Sequence, residues 1–150
     1  MKKRAIVYLG ADHAGFKLKE KIKDFLKKNY IVIDEGAHSL NKDDDYPDFA
    51  KRVGNNIRGD SKGILICGSS QGVCIAANKI KGIRAVSISD VKNAVKSREH
   101  LDANVLCLSG WELTEEKAKK IISAWLKTKF SKAQRHNRRL NKIRSLENAK

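Results

Sequence analysis

Short apolar runs alternate along the chain with longer segments in which apolar residues recur every three or four positions. The runs are typical of buried strands in a parallel sheet, and the predicted strands are residues 5–9, 30–33, 63–67, 83–87 and 104–108. The longer segments predict amphipathic helices at residues 17–28, 46 to about 59, from the loop after 67 through 80, 91–97, from 114 onward and about 132–146. This alternation predicts one three-layer α/β domain over residues 1–150, with a five-stranded parallel sheet.

The third predicted strand ends at Cys67, and a loop of small residues, Gly68–Gly72, separates it from an apolar helix. Open α/β sheets bind ligands at the carboxyl ends of their strands, and backbone N–H groups ahead of a helix suit an anion. The residues alone leave two interpretations open. Cys67 is either a reactive thiol beside an anion-binding loop or a buried structural cysteine beside an ordinary turn.

A polar pair, Asp12 and His13, follows the first predicted strand. In a sheet with a 2-1-3 core order the first and third strands are neighbours, so Asp12 and Cys67 meet at the switch point of the sheet. The G-x-G-x-x-G spacing of dinucleotide-binding loops does not occur at this turn. Asp12 by itself fits a helix cap as well as it fits a catalytic group.

Three further basic side chains are candidates. His100 follows the predicted helix 91–97, a place where an isolated histidine is usually a solvated surface residue. Arg135 and Arg139 are four positions apart on the predicted last helix and therefore share a face. Two guanidinium groups so placed suit a phosphate, although a solvated basic face is the alternative.

Charge is concentrated near the end of the chain. The sequence has 32 Lys and Arg against 17 Asp and Glu, a formal net charge of +15. Residues 117–150 hold twelve of these cations and one acid, and so contribute +11. Such a segment suits nucleic acid, a membrane surface or a phosphorylated substrate. Apolar residues run through it at helical spacing, which favours folded helices over a disordered arm.

The cysteines Cys67, Cys74 and Cys107 are an odd number without paired spacing, which disfavours a zinc site and a disulfide framework. The apolar run that follows the first four residues is too short for a signal sequence or a membrane span. We therefore expect a reduced, cytoplasmic protein that does not bind a membrane.

Six motifs occur in one order: residues 12–16, 45–48, 63–79, 82–85, 97–104 and the Arg-His-x-x-Arg element at 135–139. This set closely resembles the ribose-5-phosphate isomerase B family, which includes the galactose-6-phosphate isomerase subunits. The resemblance covers nearly the whole chain, from Ala5 to about Ile143. It implies a Rossmann-like fold, no metal or organic cofactor, and a homodimer (or a tetramer) with active sites between subunits.

The resemblance also implies aldose–ketose isomerisation of a phosphorylated sugar through an enediolate. Cys67 matches the base of the family, and Ser69 matches a neighbouring hydroxyl that relays a proton to the sugar oxygens. Some relatives lack this cysteine and carry a Glu at the position of Val73, so Cys67 is the base expected here. Asp12 and His100 match residues that handle the sugar hydroxyls and open the ring.

The remaining positions implied by the resemblance bind substrate. The loop backbone that would hold the enediolate charge belongs to Gly68, Ser70, Gln71, Gly72 and Val73. Arg135, Arg139 and His13 match phosphate contacts, and Tyr46 matches a position lining the site. The basic helix at about 132–146 is expected to pack on a partner subunit.

Three residues depart from the family pattern. Ser70 replaces a loop glycine, and its Cβ restricts the backbone where φ is positive. Leu101 replaces an Asn, and Trp111 stands where a segment normally supplies another arginine. Ribose 5-phosphate is the expected substrate. A hexose 6-phosphate (allose or galactose), a catalytically silent phosphosugar-binding relative and, last, a nucleic-acid-binding module are the alternatives.

Overall fold

The computed structural model describes residues 2–149, and these residues form five strands and six helices. The strands are β1 (Ile6–Ala11), β2 (Ile31–Asp34), β3 (Lys62–Cys67), β4 (Ala85–Ser87) and β5 (Val105–Ser109). The helices are α1 (Phe16–Lys27), α2 (Tyr46–Asn56), α3 (Gln71–Asn78), α4 (Val91–Leu101), α5 (Glu115–Lys127) and α6 (Gln134–Glu147). Strands and helices thus alternate in the order that the hydrophobic pattern predicts.

The five strands form one parallel sheet in the order β2-β1-β3-β5-β4. The predicted parallel sheet and its 2-1-3 core order are therefore confirmed. β1 and β3 pair in a register that sets Ala11 opposite Ile66. Asp12 and Cys67 are the next residues of the two strands, so both lie at the carboxyl edge of the sheet.

Alternate residues of the central strands point to opposite faces of the sheet, as strand geometry requires. Leu9 and Ile66 pack on one face together with Trp125 of α5. Leu65 and Cys67 pack on the other face in a second cluster that includes residues of α2 and α3. Helices cover both faces, which gives the three layers.

Helix α4 is longer than predicted. It continues past Ser97 to Leu101, and Asp102 ends it in the left-handed conformation with a φ of 45°. Asp tolerates this conformation better than most residues, so the helix ends without the glycine or proline that the sequence pattern would reveal. As a result His100 lies within the last turn of α4. Elsewhere β4 and α6 each begin two residues later than predicted.

Candidate active site

Cys67 ends β3 with only 3% of its surface exposed. The backbone N–H groups of Val73, Ser70 and Ser69 lie near its thiol and favour the thiolate form. Burial raises the pKa of the Cys67 thiol, the three N–H groups oppose that rise, and the nearby Asp12 carboxylate adds to it. Converging N–H groups are what a thiolate needs in a site from which water is excluded.

Asp12 is buried at the end of β1, with 5% of its surface exposed. Its Oδ1 accepts hydrogen bonds from the backbone N–H groups of Ala14 at 3.0 Å and Gly15 at 3.1 Å. Burial raises the pKa of the Asp12 carboxyl, and the Gly15 N–H group opposes the rise. Asp12 caps the turn before α1 and, through its charge, acts on Cys67.

His13 is held by Asp44, a residue of the polar loop between β2 and α2. The Asp44 Oδ1 atom lies 2.7 Å from the His13 Nδ1 atom and accepts the His13 backbone N–H at 2.9 Å. The hydrogen bond to Asp44 raises the pKa of His13 and so favours its cationic form. Asp44 Oδ2 is buried and has no hydrogen-bond partner among the described residues. Sequence analysis missed Asp44, because several acids share its loop and only the path of the chain selects one of them.

Two aromatic rings lie against the two glycines of the loop after β3. A Cβ added to Gly72 would sit 2.6 Å from the Tyr46 Cζ atom, and one added to Gly68 would overlap the Trp111 ring. Both glycines are therefore needed for close approach. Trp111 therefore contacts the loop that follows Cys67 at Gly68, and Tyr46 contacts it at Gly72.

The serines of this loop differ in their backbone and burial. Ser70 adopts the left-handed conformation with a φ of 67°, and its buried hydroxyl hydrogen-bonds the Ser87 hydroxyl at the end of β4. Ser69 is half-buried, and its hydroxyl accepts a long hydrogen bond of 3.4 Å from the backbone N–H of Gln71. Gln71 is exposed at the first position of α3.

His100, Arg135 and Arg139 gather elsewhere, around the buried side chain of His136 on α6. The His100 and His136 rings have centroids 4.5 Å apart, and the Ser131 hydroxyl lies 2.6 Å from His136 Nδ1. Burial lowers the pKa of His136, and the charges of Arg135, His100 and Arg139 lower it further. The two arginines are exposed, so this cluster presents their guanidinium groups beside His100.

The structure does not bring this second cluster to Cys67 within one chain. α6 packs on α4 and reaches the turn before β4, where Glu147 Oε1 accepts the Gly82 N–H at 2.8 Å. β5 and β4 lie between that edge of the sheet and β3. The charged groups that act on Cys67 and Asp12 are Asp12, His13 and Asp44.

Asp12, His13 and Asp44 offer ligand atoms within 4.8 Å of one another, and form the one such group found in residues 2–149. His13 and Asp44 already bond each other, and two N–H groups occupy Asp12 Oδ1, so the contacts are explained without an ion. In the same residues the three cysteines are unpaired. No helix there combines the length and the apolar character needed to cross a bilayer.

The family model described as Ribose/Galactose Isomerase matches residues 7–143. The chain belongs to this family. A probable ribose-5-phosphate isomerase B from Mycoplasma genitalium is 43% identical over 141 residues, which cover 91% of this chain and 92% of the relative. The ribose-5-phosphate isomerase B of Mycobacterium tuberculosis is 41% identical, with 94% and 89% of the two chains covered.

The solved structure of ribose-5-phosphate isomerase B from Mycoplasma genitalium with bound ribulose-5-phosphate matches this member of the ribose/galactose isomerase family with a TM-score of 0.92. The match has 40% identity and covers 97% of each chain. The type B ribose 5-phosphate isomerase of Trypanosoma brucei matches with a TM-score of 0.91 at 40% identity, over 96% of this chain and 99% of that one. The predicted family and the Rossmann-like fold are confirmed.

Proposed function

We propose that this chain interconverts ribose 5-phosphate and ribulose 5-phosphate without a cofactor. The observation that carries the proposal is the buried Cys67 thiol with the Val73, Ser70 and Ser69 N–H groups directed at it. The choice of substrate is supported by family membership and by a relative solved with ribulose-5-phosphate bound.

The reaction moves a proton between two carbons of the open-chain sugar. The Cys67 thiolate takes the proton from C2, and the electrons of that C–H bond move toward the C1 carbonyl to form an enediolate. The thiol then returns the proton to C1, which yields the ketose and restores the thiolate. Ser69 relays a proton between the two sugar oxygens, and the N–H groups of loop 68–73 stabilise the negative charge.

The two ends of the sugar need different groups. Asp12, with its buried carboxylate, handles the hydroxyls and acts with His100 in ring opening, while Tyr46 lines the site. The hydrogen bond to Asp44 raises the pKa of His13 and so favours its cationic form, and a cation so held suits a phosphate.

A complete site requires two chains in this proposal. Arg135, Arg139 and His100 lie at the β4 side of the molecule, whereas Cys67 lies at its centre. We infer a homodimer in which His100 and α6 of one chain complete the site around Cys67 of the other.

The outer face of α6 supports such a contact. Ile143 and Leu146 are 45% and 70% exposed. They line a groove of about 520 Å³ together with Ile80 and Ile83. An apolar groove of this size on a basic helix is typical of a surface that a partner covers.

Two further proposals concern the extent of the domain and the cellular compartment of the protein. We propose that residues 1–150 act as one domain, since the family model spans 7–143. The three unpaired cysteines fit a reducing compartment, and we propose the cytoplasm.

A coupled assay with ribose 5-phosphate, allose 6-phosphate and galactose 6-phosphate tests the function. We expect the highest kcat/KM with ribose 5-phosphate. A hexose phosphate as best substrate would overturn the substrate assignment, and binding without turnover of any sugar would identify a silent relative. Nucleic-acid binding with a steep salt dependence, in place of sugar binding, would favour the nucleic-acid alternative.

Mixing two impaired variants, assayed at a ribose 5-phosphate concentration well below KM, tests the shared site. Cys67→Ala and Arg139→Ala damage different halves, so mixed dimers contain one site with both halves intact if the halves come from two chains. Equal mixing and exchange should restore about a quarter of wild-type activity. Activity no greater than the sum of the two variants would show that each chain uses its own Arg139. Light scattering at micromolar concentration should give the mass of a dimer.

A further inference from the structure

Trp111 is fixed to the residues that carry the proposed base. β5 ends at Ser109, and Gly110 then passes so close to the turn before α1 that an added Cβ would overlap the Ala14 carbonyl oxygen. The Gly110 N–H donates to the Cys67 carbonyl at 2.8 Å, and the Trp111 N–H donates to the Gly68 carbonyl at 3.2 Å. These bonds set the position of the Trp111 main chain relative to Cys67.

The ring itself contacts the loop after Cys67. Its benzo edge lies against Gly68, where an added Cβ would overlap the ring. The Ser109 hydroxyl donates to the Gly68 carbonyl at 2.6 Å, which fixes that loop residue from the same side. Gly68 and the Trp111 ring are thus held together at the carboxyl edge of the sheet.

Trp111 nevertheless leaves most of its surface open. The residue is 75% exposed, whereas Trp125, the other tryptophan of the sequence, is fully buried. A single exposed aromatic ring is common on protein surfaces, but this ring packs against the loop that follows Cys67 and is therefore placed to contact a ligand bound there. Aromatic side chains that line small-molecule sites pack against the apolar surfaces of their ligands.

We infer that Trp111 determines the sugar specificity of this site, by packing its indole against the C–H face of the sugar chain bound at Cys67. The inference rests on the proposed isomerase function. Because Gly68 lies directly against the ring, the indole cannot shift toward the loop to make room for a longer chain, so a five-carbon sugar phosphate fits better than a six-carbon one. Trp111 acts through contact with the substrate and takes no part in proton transfer.

Fluorescence tests the contact directly, because the exposed and the buried tryptophan respond differently to a quencher. Ribose 5-phosphate is titrated into the Cys67→Ala protein, which cannot turn it over, and acrylamide quenching is measured. We expect the quenching constant of the exposed tryptophan to fall about threefold, since bound ligands lose most of their exposed surface together with the site wall. Trp111→Phe should remove this response and leave the Trp125 emission unchanged.

Calorimetry on the same samples separates the possible failures. Heat of ribose 5-phosphate binding without a change in quenching overturns the role of Trp111 and leaves the proposed function standing. An absence of binding overturns both. Protection that follows protein concentration, and not sugar, would assign the ring to a contact between chains and overturn the inference.

Kinetics test the specificity. Trp111→Ala should raise KM for ribose 5-phosphate about tenfold and reduce the preference over allose 6-phosphate by a similar factor, the range expected for one apolar contact. Trp111→Phe keeps an aromatic face and should recover most of both. Val91→Ala removes a 42% exposed apolar side chain on α4 and serves as the matched control. Equal effects of Trp111→Ala on both sugars would overturn the inference.

Discussion

The candidate site has two halves that are made from different kinds of groups. The Cys67 half consists of Cys67, Asp12, His13 and the loop 68–73, and the His100 half consists of His100, Arg135 and Arg139. Around Cys67, buried side chains and backbone N–H groups are fixed by the central strands of the sheet. Around His100, the guanidinium groups of Arg135 and Arg139 are exposed on a helix at the β4 side. The first half is thus organised by the fold of one chain, whereas the second completes a site only in the homodimer that we propose. Substitution of Cys67 should therefore affect chemistry, whereas substitution of Arg135 or Arg139 should affect substrate binding.

The largest effect is expected at Cys67. Cys67→Ala removes the proposed base while leaving the loop and the proposed phosphate contacts, so kcat should fall about 10³–10⁴-fold, the upper range for a general base. Steady-state kinetics and exchange of the C2 proton with solvent measure the loss. Near-normal turnover would exclude Cys67 and shift attention to Asp12.

The other cysteines provide the control for this substitution. Cys107 is fully buried and Cys74 is half-buried, and both lie in the layer between the sheet and α3. Cys107→Ala and Cys74→Ala should lower the free energy of unfolding and leave kcat unchanged. A loss of kcat in either variant would show that packing, and not the base, explains the result at Cys67.

Asp34 should control the stability of the Cys67 half. Its carboxylate accepts hydrogen bonds from the fully buried Lys19 ammonium at 2.8 Å and from the Gly36 N–H at 2.9 Å. The Gly36 carbonyl in turn accepts a hydrogen bond from the N–H of Ala11, the residue before Asp12. Asp34→Asn would leave Lys19 with only Glu20 as a charged partner. Loss of about 3 kcal/mol in the free energy of unfolding is expected, the lower end for breaking a buried ion pair. Urea unfolding measures it, and Lys21→Gln on the exposed face of α1 is the control.

The pKa of Asp34 gives an independent check. Burial alone would raise that pKa, but hydrogen bonds from Lys19 and Lys23 lower it to about 2. Because the folded pKa lies below the unfolded value, this stabilisation is present above about pH 4 and is lost as the pH falls toward 2. The loss is about 2 kcal/mol, and it should vanish in Asp34→Asn.

Arg135 and Arg139 test the second half. Removing either should cost about 1.5–3 kcal/mol in kcat/KM, the scale of a hydrogen bond to a charged group. Most of the loss should appear in KM if the phosphate is bound equally in ground and transition states. Lysine should rescue only in part, because it lacks the bidentate fork. Arg138→Ala is the control, because Arg138 lies about 100° around the helix from Arg139. Equal small effects on kcat/KM at all three positions would mean that these arginines form only a solvated basic face.

The two halves also differ in how far the sequence predicts them. Asp12 and Cys67 could be paired in advance, because both end apolar runs and a 2-1-3 sheet places those ends side by side. Asp44 could not, because its contact with His13 depends on the path of a polar loop that has no periodic pattern. The separation of Cys67 from Arg135 and Arg139 could not be predicted either. The spacing of residues on α6 indicates which of them share a face, but it does not indicate where the helix packs.

The pH dependence of kcat tests the ionisation of Cys67. Burial raises the pKa of the Cys67 thiol, so the thiolate is a minor species at neutral pH and its fraction grows about tenfold per pH unit. We expect kcat to rise in this way from pH 6 to beyond pH 8. A kcat that is constant from pH 6 would mean that Cys67 is already ionised, or is not the base.

The smallest effect is expected at Ser70, where the chain departs from the usual loop glycine. Its φ of 67° costs a residue with a Cβ about 1–2 kcal/mol, and its hydrogen bond to Ser87 returns about 0.5–1.5 kcal/mol. Ser70→Gly relieves the first and loses the second, so the free energy of unfolding should change by less than about 1 kcal/mol. Ser70→Ala keeps the strain and loses the bond, and should be the less stable variant in urea. The reverse order would mean that the left-handed backbone costs a residue with a Cβ less than the unfolded-chain entropy that Gly adds. Because the Ser70 N–H points at Cys67, any change in loop geometry should also appear as a shifted pH profile of kcat.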